Sequence, residues 1–139
     1  MRTSSRLTLR ALAGGVLLCV AACGDSPTDA PPGIQPQIIN NPDAFSYQLS
    51  DLSGVSGTWD YSWQNTGTLA KVTHASDAGA SGTATMTIRD GAGTQVYSGT
   101  FATSGEPVSS PAGVAGAWTI SVTYSNYSNT QVNFGVVKQ

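Results

Sequence analysis

Apolar and polar residues alternate with a period of two along nearly the whole segment from residue 44 to residue 139. The clearest case is the stretch 83–89, where Ala84, Met86 and Ile88 alternate with polar residues. Because successive side chains of a β-strand point to opposite sides of a sheet, this period predicts strands with one buried and one exposed face. No stretch of the segment has the period of an amphipathic helix. The segment therefore predicts an all-β domain.

Turn residues divide this alternation into seven predicted strands and leave room for an eighth between residues 104 and 113. The sequence Asp-Gly-Ala-Gly at 90–93 is typical of a hairpin, since glycine readily adopts the positive φ that such turns need. Pro107 and Pro111 restrict any eighth strand to a short piece at a sheet edge. Seven or eight short strands at this spacing predict a single antiparallel β-sandwich of jelly-roll type.

The first 22 residues have the organisation of an export signal. Arg2, Arg6 and Arg10 form a basic start, and an apolar run follows over residues 11–22. This run suits the apolar part of a signal peptide. It is too short to cross a bilayer core of about 30 Å, which needs about 20 helical residues. We therefore expect a cleaved signal over residues 1–22 and no transmembrane helix.

The end of this run resembles the lipobox of bacterial lipoproteins, in which one aliphatic and two small residues precede a cysteine. Here the sequence is Val20-Ala21-Ala22-Cys23. The resemblance implies that Cys23 receives a diacylglyceryl group, that the signal is cut before it, and that the new amino terminus takes an acyl chain such as palmitate. Cys19 is the competing site, but the Leu18 before it is bulkier than the pattern. An ordinary secretory signal is the alternative, and it would leave Cys23 as an unpaired thiol in an oxidising compartment.

Residues 23–43 are predicted to be a disordered linker that starts at the acylated cysteine. Five of the seven prolines fall in this segment, and proline both fixes φ and removes a backbone donor. Gly24, and not aspartate, follows Cys23. By resemblance to the sorting rule of enterobacterial lipoproteins, this residue favours the outer membrane or cell surface over the inner membrane. The expected location is thus the cell envelope, with the domain at 44–139 held on a tether.

The charge balance excludes several classes of partner. The signal holds three of the six basic residues and none of the eight acidic ones, so the mature chain would carry a net charge of −5. An acidic, base-poor surface disfavours nucleic acid, and it lacks the basic cluster that attracts anionic lipids. We expect membrane contact only through the lipid on Cys23, and a protein or a glycan as the other class of ligand.

Few residues in the chain could carry out catalysis. His74 is the only histidine, and we expect it to be half-buried, hydrogen-bonded and structural. The acidic residues occur singly, so no loop has the pattern of a calcium site. If a metal binds, Asp51, Asp77 and Asp90 are the candidate ligands. The sequence predicts no cofactor and no enzyme, with a small hydrolase acting through His74 as the least favoured alternative.

Trp59, Tyr61 and Trp63 alternate along one face of a predicted strand. If exposed, they would form a platform on which sugar rings could stack. If they face inward, they would form part of the core, and we favour this because a domain of this size needs large apolar side chains inside. Three tyrosines are expected at exposed strand edges or in loops: Tyr97, Tyr124 and Tyr127. Of these, Tyr97 and Tyr127 are further candidates for ligand contact.

Residues 116–123 (GAWTISVT) and 132–136 (VNFGV) resemble the closing hairpin of bacterial pre-peptidase C-terminal domains, and residues 90–97 (DGAGTQVY) resemble another hairpin of the same domains. Those domains are small β-sandwiches appended to secreted enzymes, and we expect this chain to depart from them in lacking an accompanying enzyme domain. The expected function is a non-enzymatic binding or display module in the envelope. A structural envelope protein without a dedicated ligand and a carbohydrate-binding module are the alternatives.

Overall fold

The computed structural model describes residues 34–101 and 105–139, and these form an all-β fold without a helix. The predicted fold class is confirmed. The predicted signal, the lipobox with Cys23 and most of the linker lie outside the described residues. Seven strands are present in the described part: β1 (Gln37–Asn41), β2 (Ala44–Asn65), β3 (Ala70–Ser76), β4 (Ser81–Arg89), β5 (Gln95–Thr100), β6 (Val108–Ser109) and β7 (Gly116–Lys138).

The two long strands, β2 and β7, pair with each other along nearly their whole length and fold back on themselves together. A straight strand of 22 residues would extend about 70 Å. However, the backbone N–H of Asp43, just before β2, donates to the carbonyl oxygen of Gln64 near its end, at 2.8 Å. The bend coincides with register shifts between Leu52 and Gly57, where bulges increase the local curvature.

The bend divides one continuous sheet into two halves that face each other. The first half contains β1, the start of β2, the end of β7, β3 and β6, in that order. The second half contains the end of β2, the start of β7, β4 and β5. All pairs are antiparallel. The predicted sandwich is thus formed by folding a single sheet over on itself, and the jelly-roll connectivity is not confirmed.

The bend is the main place where the structure differs from the predicted strands. The alternation at 45–49 and at 59–63 was expected to mark two strands separated by a turn, and the same holds for 118–124 and 132–136. The intervening residues Asp51, Gly54 and Asn126 do adopt positive φ, but all three lie within β2 and β7, and Gly54 and Asn126 fall at the register shifts. Each long strand stays paired across the bend, so the turn-forming residues curve the sheet without ending a strand.

The sheet also begins earlier than the predicted domain boundary at residue 44. Residues 37–41 were predicted to belong to the linker, yet they form β1 and pair with β2 in register from Gln37 opposite Gln48 to Asn41 opposite Ala44. Ile38 is half-buried and packs against the core. Prolines flank this strand without interrupting it, as an edge strand allows. The eighth predicted strand exists only as the two residues of β6.

The inner faces of the two halves meet in an aromatic core. The ring of Tyr61, from the second half, lies 5.7 Å from that of Phe45 and 5.8 Å from that of Tyr47, both in the first half. Trp63 and Trp118 are fully buried, with their rings edge to face at 5.8 Å. Pairs at these separations add to the stabilisation that burial alone provides. Both halves therefore contribute to one core.

Candidate binding surface

The part of β2 that carries Trp59, Tyr61 and Trp63 faces this core. Trp59 and Tyr61 are each 5% exposed and Trp63 is fully buried. Their favoured assignment to the core is confirmed, and the alternative of an exposed stacking platform on these residues is wrong. The physical reason is the fold of the sheet, which places this face of β2 against the other half.

The structure also corrects the prediction that Tyr124 and Tyr127 are exposed. They are 2% and 3% exposed, and their rings lie 5.4 Å apart. Tyr127 was expected in a surface loop, but it belongs to the bend of β7 and points inward, where its hydroxyl accepts a hydrogen bond from Asn129 Nδ2 at 2.9 Å. Burial raises the pKa of the Tyr124 hydroxyl, and that of Tyr47, which lies 3.2 Å from it. Because these hydroxyls stay protonated near neutral pH, they offer no acid–base group there.

Tyr97 and His74 join the two halves at the open side of the sandwich. His74 is half-buried in β3, and its Nε2 lies 3.2 Å from the hydroxyl oxygen of Tyr97 in β5. Its ring meets that of Phe101 edge to face at 6.3 Å. Tyr97 is itself half-buried, and this burial raises the pKa of its hydroxyl. The expectation of a half-buried, hydrogen-bonded histidine is confirmed, whereas Tyr97 is not the exposed aromatic that was expected.

The three candidate metal ligands are not brought into a common site. Asp90 is 5% exposed, and its carboxylate accepts N–H bonds from Val114 and from residues of the β4–β5 turn, which lower its pKa. Asp51 lies in the bend of β2, and Asp77 follows β3. Among residues 34–101 and 105–139, no three or more His, Cys, Asp or Glu side chains are placed to share a metal ion.

A shallow groove crosses the outer face of the first half, and sequence reasoning missed it. It consists of three adjoining depressions of about 380, 430 and 180 Å³ that follow one another from β1 to β3. The first and second share Gln37 and Gln48, and the second and third share Asn133 and Phe134. We call this feature the amide groove, after the carboxamide side chains that border it: Gln35, Gln37, Gln48 and Asn133.

Strand register explains why these amides lie together. Gln37, Gln48 and Asn133 stand directly opposite one another on β1, β2 and β7, and such cross-strand neighbours lie about 5 Å apart. The neighbouring cross-strand row on the same outer face contains small residues, among them Ser46 and Gly135. A Cβ at Gly135 would approach Thr73 Oγ1 to 3.1 Å. The glycine therefore keeps the floor of the groove low between taller side chains.

The amide groove is polar but almost uncharged. The side chains of Gln37, Gln48 and Asn133 make no hydrogen bond to any other group in the part of the chain that the structure describes. Each carboxamide can both donate and accept hydrogen bonds. Asp51, at one end, is the only lining residue with a permanent charge. Ile39, which lines the middle depression, is 63% exposed. The groove is thus suited to a neutral ligand that carries both donors and acceptors.

The outer face of the second half has a different composition. Thr58, Thr123 and Thr85 form one cross-strand row, which Thr100 of β5 extends to the edge. Thr58 Oγ1 and Thr123 Oγ1 lie 2.9 Å apart, within hydrogen-bonding distance. We call this surface the hydroxyl face. Threonine is a strong strand former, so the composition of this face is accounted for by the strands themselves.

Comparison with known proteins does not add to this geometry. No protein-family model matches the chain, and no curated protein shows significant similarity to it. Within the described residues, no helix is long and apolar enough to cross a membrane. The amide groove and the sequence features of the N-terminal segment are therefore the observations on which a function has to be based.

Proposed function

We propose that the protein is a lipid-anchored protein of the cell envelope whose β-domain is a non-enzymatic binding module. The observation that carries the proposal is the order of the N-terminal features: a basic start, the apolar run 11–22, and Val20-Ala21-Ala22 directly before Cys23. Cys23 would be the attachment point. The amide groove supports the binding role, because its carboxamides are aligned, accessible and without partners in the described chain.

The physical demands of such an anchor agree with the chain. One acyl chain holds a protein only reversibly, and a second makes the attachment stable at about 0.8 kcal/mol per buried CH₂. Between Cys23 and β1 lie about 13 residues rich in proline, which can extend about 3 Å per residue. The linker would thus let the domain stand up to about 40 Å from the membrane. It enters the sheet at Gln37, directly beside the amide groove.

Catalysis is not part of the proposal because of the chemistry of the groove lining. Apart from Asp51 and His74, the groove is lined by amide, hydroxyl, aliphatic and aromatic side chains, and none of these changes its protonation near neutral pH. His74 contributes to one end of the lining, but its Nε2 faces the Tyr97 hydroxyl between the two halves. A binding role uses the lining as it is.

Mass spectrometry of the N-terminal peptide tests the anchor. Expressed in a bacterial host, the wild-type chain should begin at a lipid-modified Cys23 and fractionate with membranes. Cys23→Ser should lose the lipid mass and leave the chain unprocessed at that site. Cys19→Ser is the matched control, because it changes the only other cysteine, and it should behave as wild type. An unmodified Cys23 in the mature wild-type chain would contradict the proposal.

A further inference from the structure

We infer that the amide groove binds a strand of N-acetylated amino sugars of the kind found in cell-wall glycans. This inference rests on the proposed role as an envelope binding module and adds the class of ligand. It is carried by three properties of the groove: the chemistry of its walls, its shape across the strands, and its lack of charge.

The walls of the groove match the acetamido group of such a sugar. An acetamido group has one N–H donor, one carbonyl acceptor and one methyl group. A carboxamide side chain can donate to that carbonyl and accept from that N–H at the same time. Gln48 and Asn133 stand opposite each other on the two central strands of this face, and the small Gly135 beside them leaves space for the methyl group. No titration or metal is needed for this recognition.

The shape of the groove fits a chain better than a single sugar. The three depressions run across β1, β2, β7 and β3, and neighbouring strands are about 4.8 Å apart, so the groove extends about 14 Å. Ile39 is 63% exposed on β1 and offers apolar contact to the C–H face of a sugar ring. The groove is shallow, so a linear polymer can lie along it and continue beyond both ends.

The lack of charge argues against the other extended ligands of an envelope. No lysine or arginine lines the groove, so a sulfated, phosphorylated or strongly acidic polymer would lose its hydration without gaining an ion pair. An extended peptide would pair with a strand edge through its backbone, whereas the groove lies on the face of the sheet. A neutral glycan chain rich in amides and hydroxyls would lose the least hydration free energy on binding there.

Titration of the purified full chain with two hexasaccharides tests the inference. Chitohexaose carries six acetamido groups, and cellohexaose has the same linkage and backbone but none. We expect chitohexaose to bind at least about tenfold more tightly, because cellohexaose has no acetamido group with which Gln48 and Asn133 could form hydrogen bonds. Isothermal titration calorimetry or chemical-shift perturbation measures both affinities.

Matched variants locate the binding. Gln48→Met together with Asn133→Leu keeps the side-chain volumes and removes both amides, and it should weaken chitohexaose binding at least about tenfold. Gly135→Ala raises the floor without removing an amide and should also weaken binding. Thr87→Val together with Ser121→Ala removes two polar groups from the hydroxyl face and serves as the control, with unchanged affinity.

Three results would overturn the inference: no binding of chitohexaose, equal affinity for cellohexaose, or equal weakening by the control pair. The proposed function fails separately. If the chain carries lipid on Cys23 but does not bind chitohexaose, the proposed anchor is supported and the inferred ligand is refuted. If the chain binds chitohexaose through Gln48 and Asn133 but carries no lipid, the inferred ligand is supported and the proposed anchor is refuted.

Discussion

The two halves of the folded sheet have similar inner faces and different outer faces. Inside, both present large apolar side chains, Phe45 and Tyr47 in the first half and Trp59 and Trp63 in the second. Outside, the first half has amides around a floor of small residues, and the second has mainly threonine and serine, with Asp60 and Arg89 among them. The same two strands, β2 and β7, run through both halves. The backbone therefore does not explain why the outer faces of the two halves differ in composition.

This contrast separates what the fold needs from what it leaves free. Threonine on an exposed strand face is what strand formation favours. Glutamine and asparagine are not favoured there to the same degree, and Gly135 weakens a strand because it has no side chain to pack. The amide groove thus departs from the composition that the sheet alone would select. Such a departure is expected where a surface has a second task.

The largest expected effects come from the shared core. Phe45→Ala and Trp63→Ala should each lower the free energy of unfolding by about 3–5 kcal/mol, because each removes a large, fully packed ring. Since both halves belong to one core, each variant should still unfold in a single transition in chemical denaturation followed by tryptophan fluorescence and circular dichroism. Two separate transitions would show that the halves are independent units.

Alanine substitutions at two glycines, one in β4 and one in β7, should differ in their smaller effect on the free energy of unfolding. Gly82 has φ +75°, and a Cβ there would collide with the backbone carbonyl of Asn126 at the bend. Gly82→Ala should therefore cost more than about 1 kcal/mol. Gly135 needs no positive φ, and its Cβ would come closest to the Thr73 side chain, with the Phe45 carbonyl oxygen at an ordinary 3.9 Å, so Gly135→Ala should stay within about 0.5 kcal/mol of wild type. Equal losses in urea denaturation would contradict this distinction.

The two hairpin aspartates should differ in their response to salt. Asp43 accepts hydrogen bonds from Thr66 and from Lys138 Nζ, the latter at 2.7 Å, and the Lys138 interaction is the main reason that its pKa falls to about 2. Asp90 accepts backbone N–H bonds from Ala92, Thr94 and Val114. High salt screens an exposed ion pair but not such backbone bonds. Asp43→Asn should therefore lower the thermal midpoint less in high salt than in low salt, and Asp90→Asn should lower it equally in both.

The same carboxylates set the response to acid. A carboxyl group with a lowered folded-state pKa stabilises the fold above its ordinary pKa, and the stabilisation is lost as the pH falls through the folded-state value. For Asp43 the window runs from about pH 4 to about pH 2. Wild type should lose stability across this window, and Asp43→Asn should lose less. An identical acid dependence in the thermal midpoint of both proteins would show that Asp43 does not contribute.

The smallest expected effects belong to the outer faces themselves. Gln48→Met in the amide groove and Thr87→Val on the hydroxyl face should each change the free energy of unfolding by no more than about 0.5 kcal/mol. Both side chains lie on outward-facing positions of paired strands and neither makes a side-chain hydrogen bond within the described chain. A loss above about 2 kcal/mol for Gln48→Met in urea denaturation would assign that amide to the fold and not to a ligand.

Several features of the fold were predictable because they are local. The alternation at 83–89 predicts β4, and the glycines at 90–93 predict the turn that follows it. The burial of Trp63 follows from its place on an apolar strand face. The bend was not predictable, because residues such as Asn126 that favour positive φ occur both in loops and in bulges. For this reason the sequence predicts a surface loop at Tyr127, which the structure buries.

The amide groove depends on contacts between distant parts of the chain. That the domain is built of strands follows from the sequence alone, because the period of two is a property of the extended backbone at each residue. The apolar side of each strand follows from it too. By contrast, Gln37, Gln48 and Asn133 become neighbours only through the folded sheet, since strand register is fixed by pairing between residues far apart in sequence. A surface assembled across strands exists only once those pairings have formed.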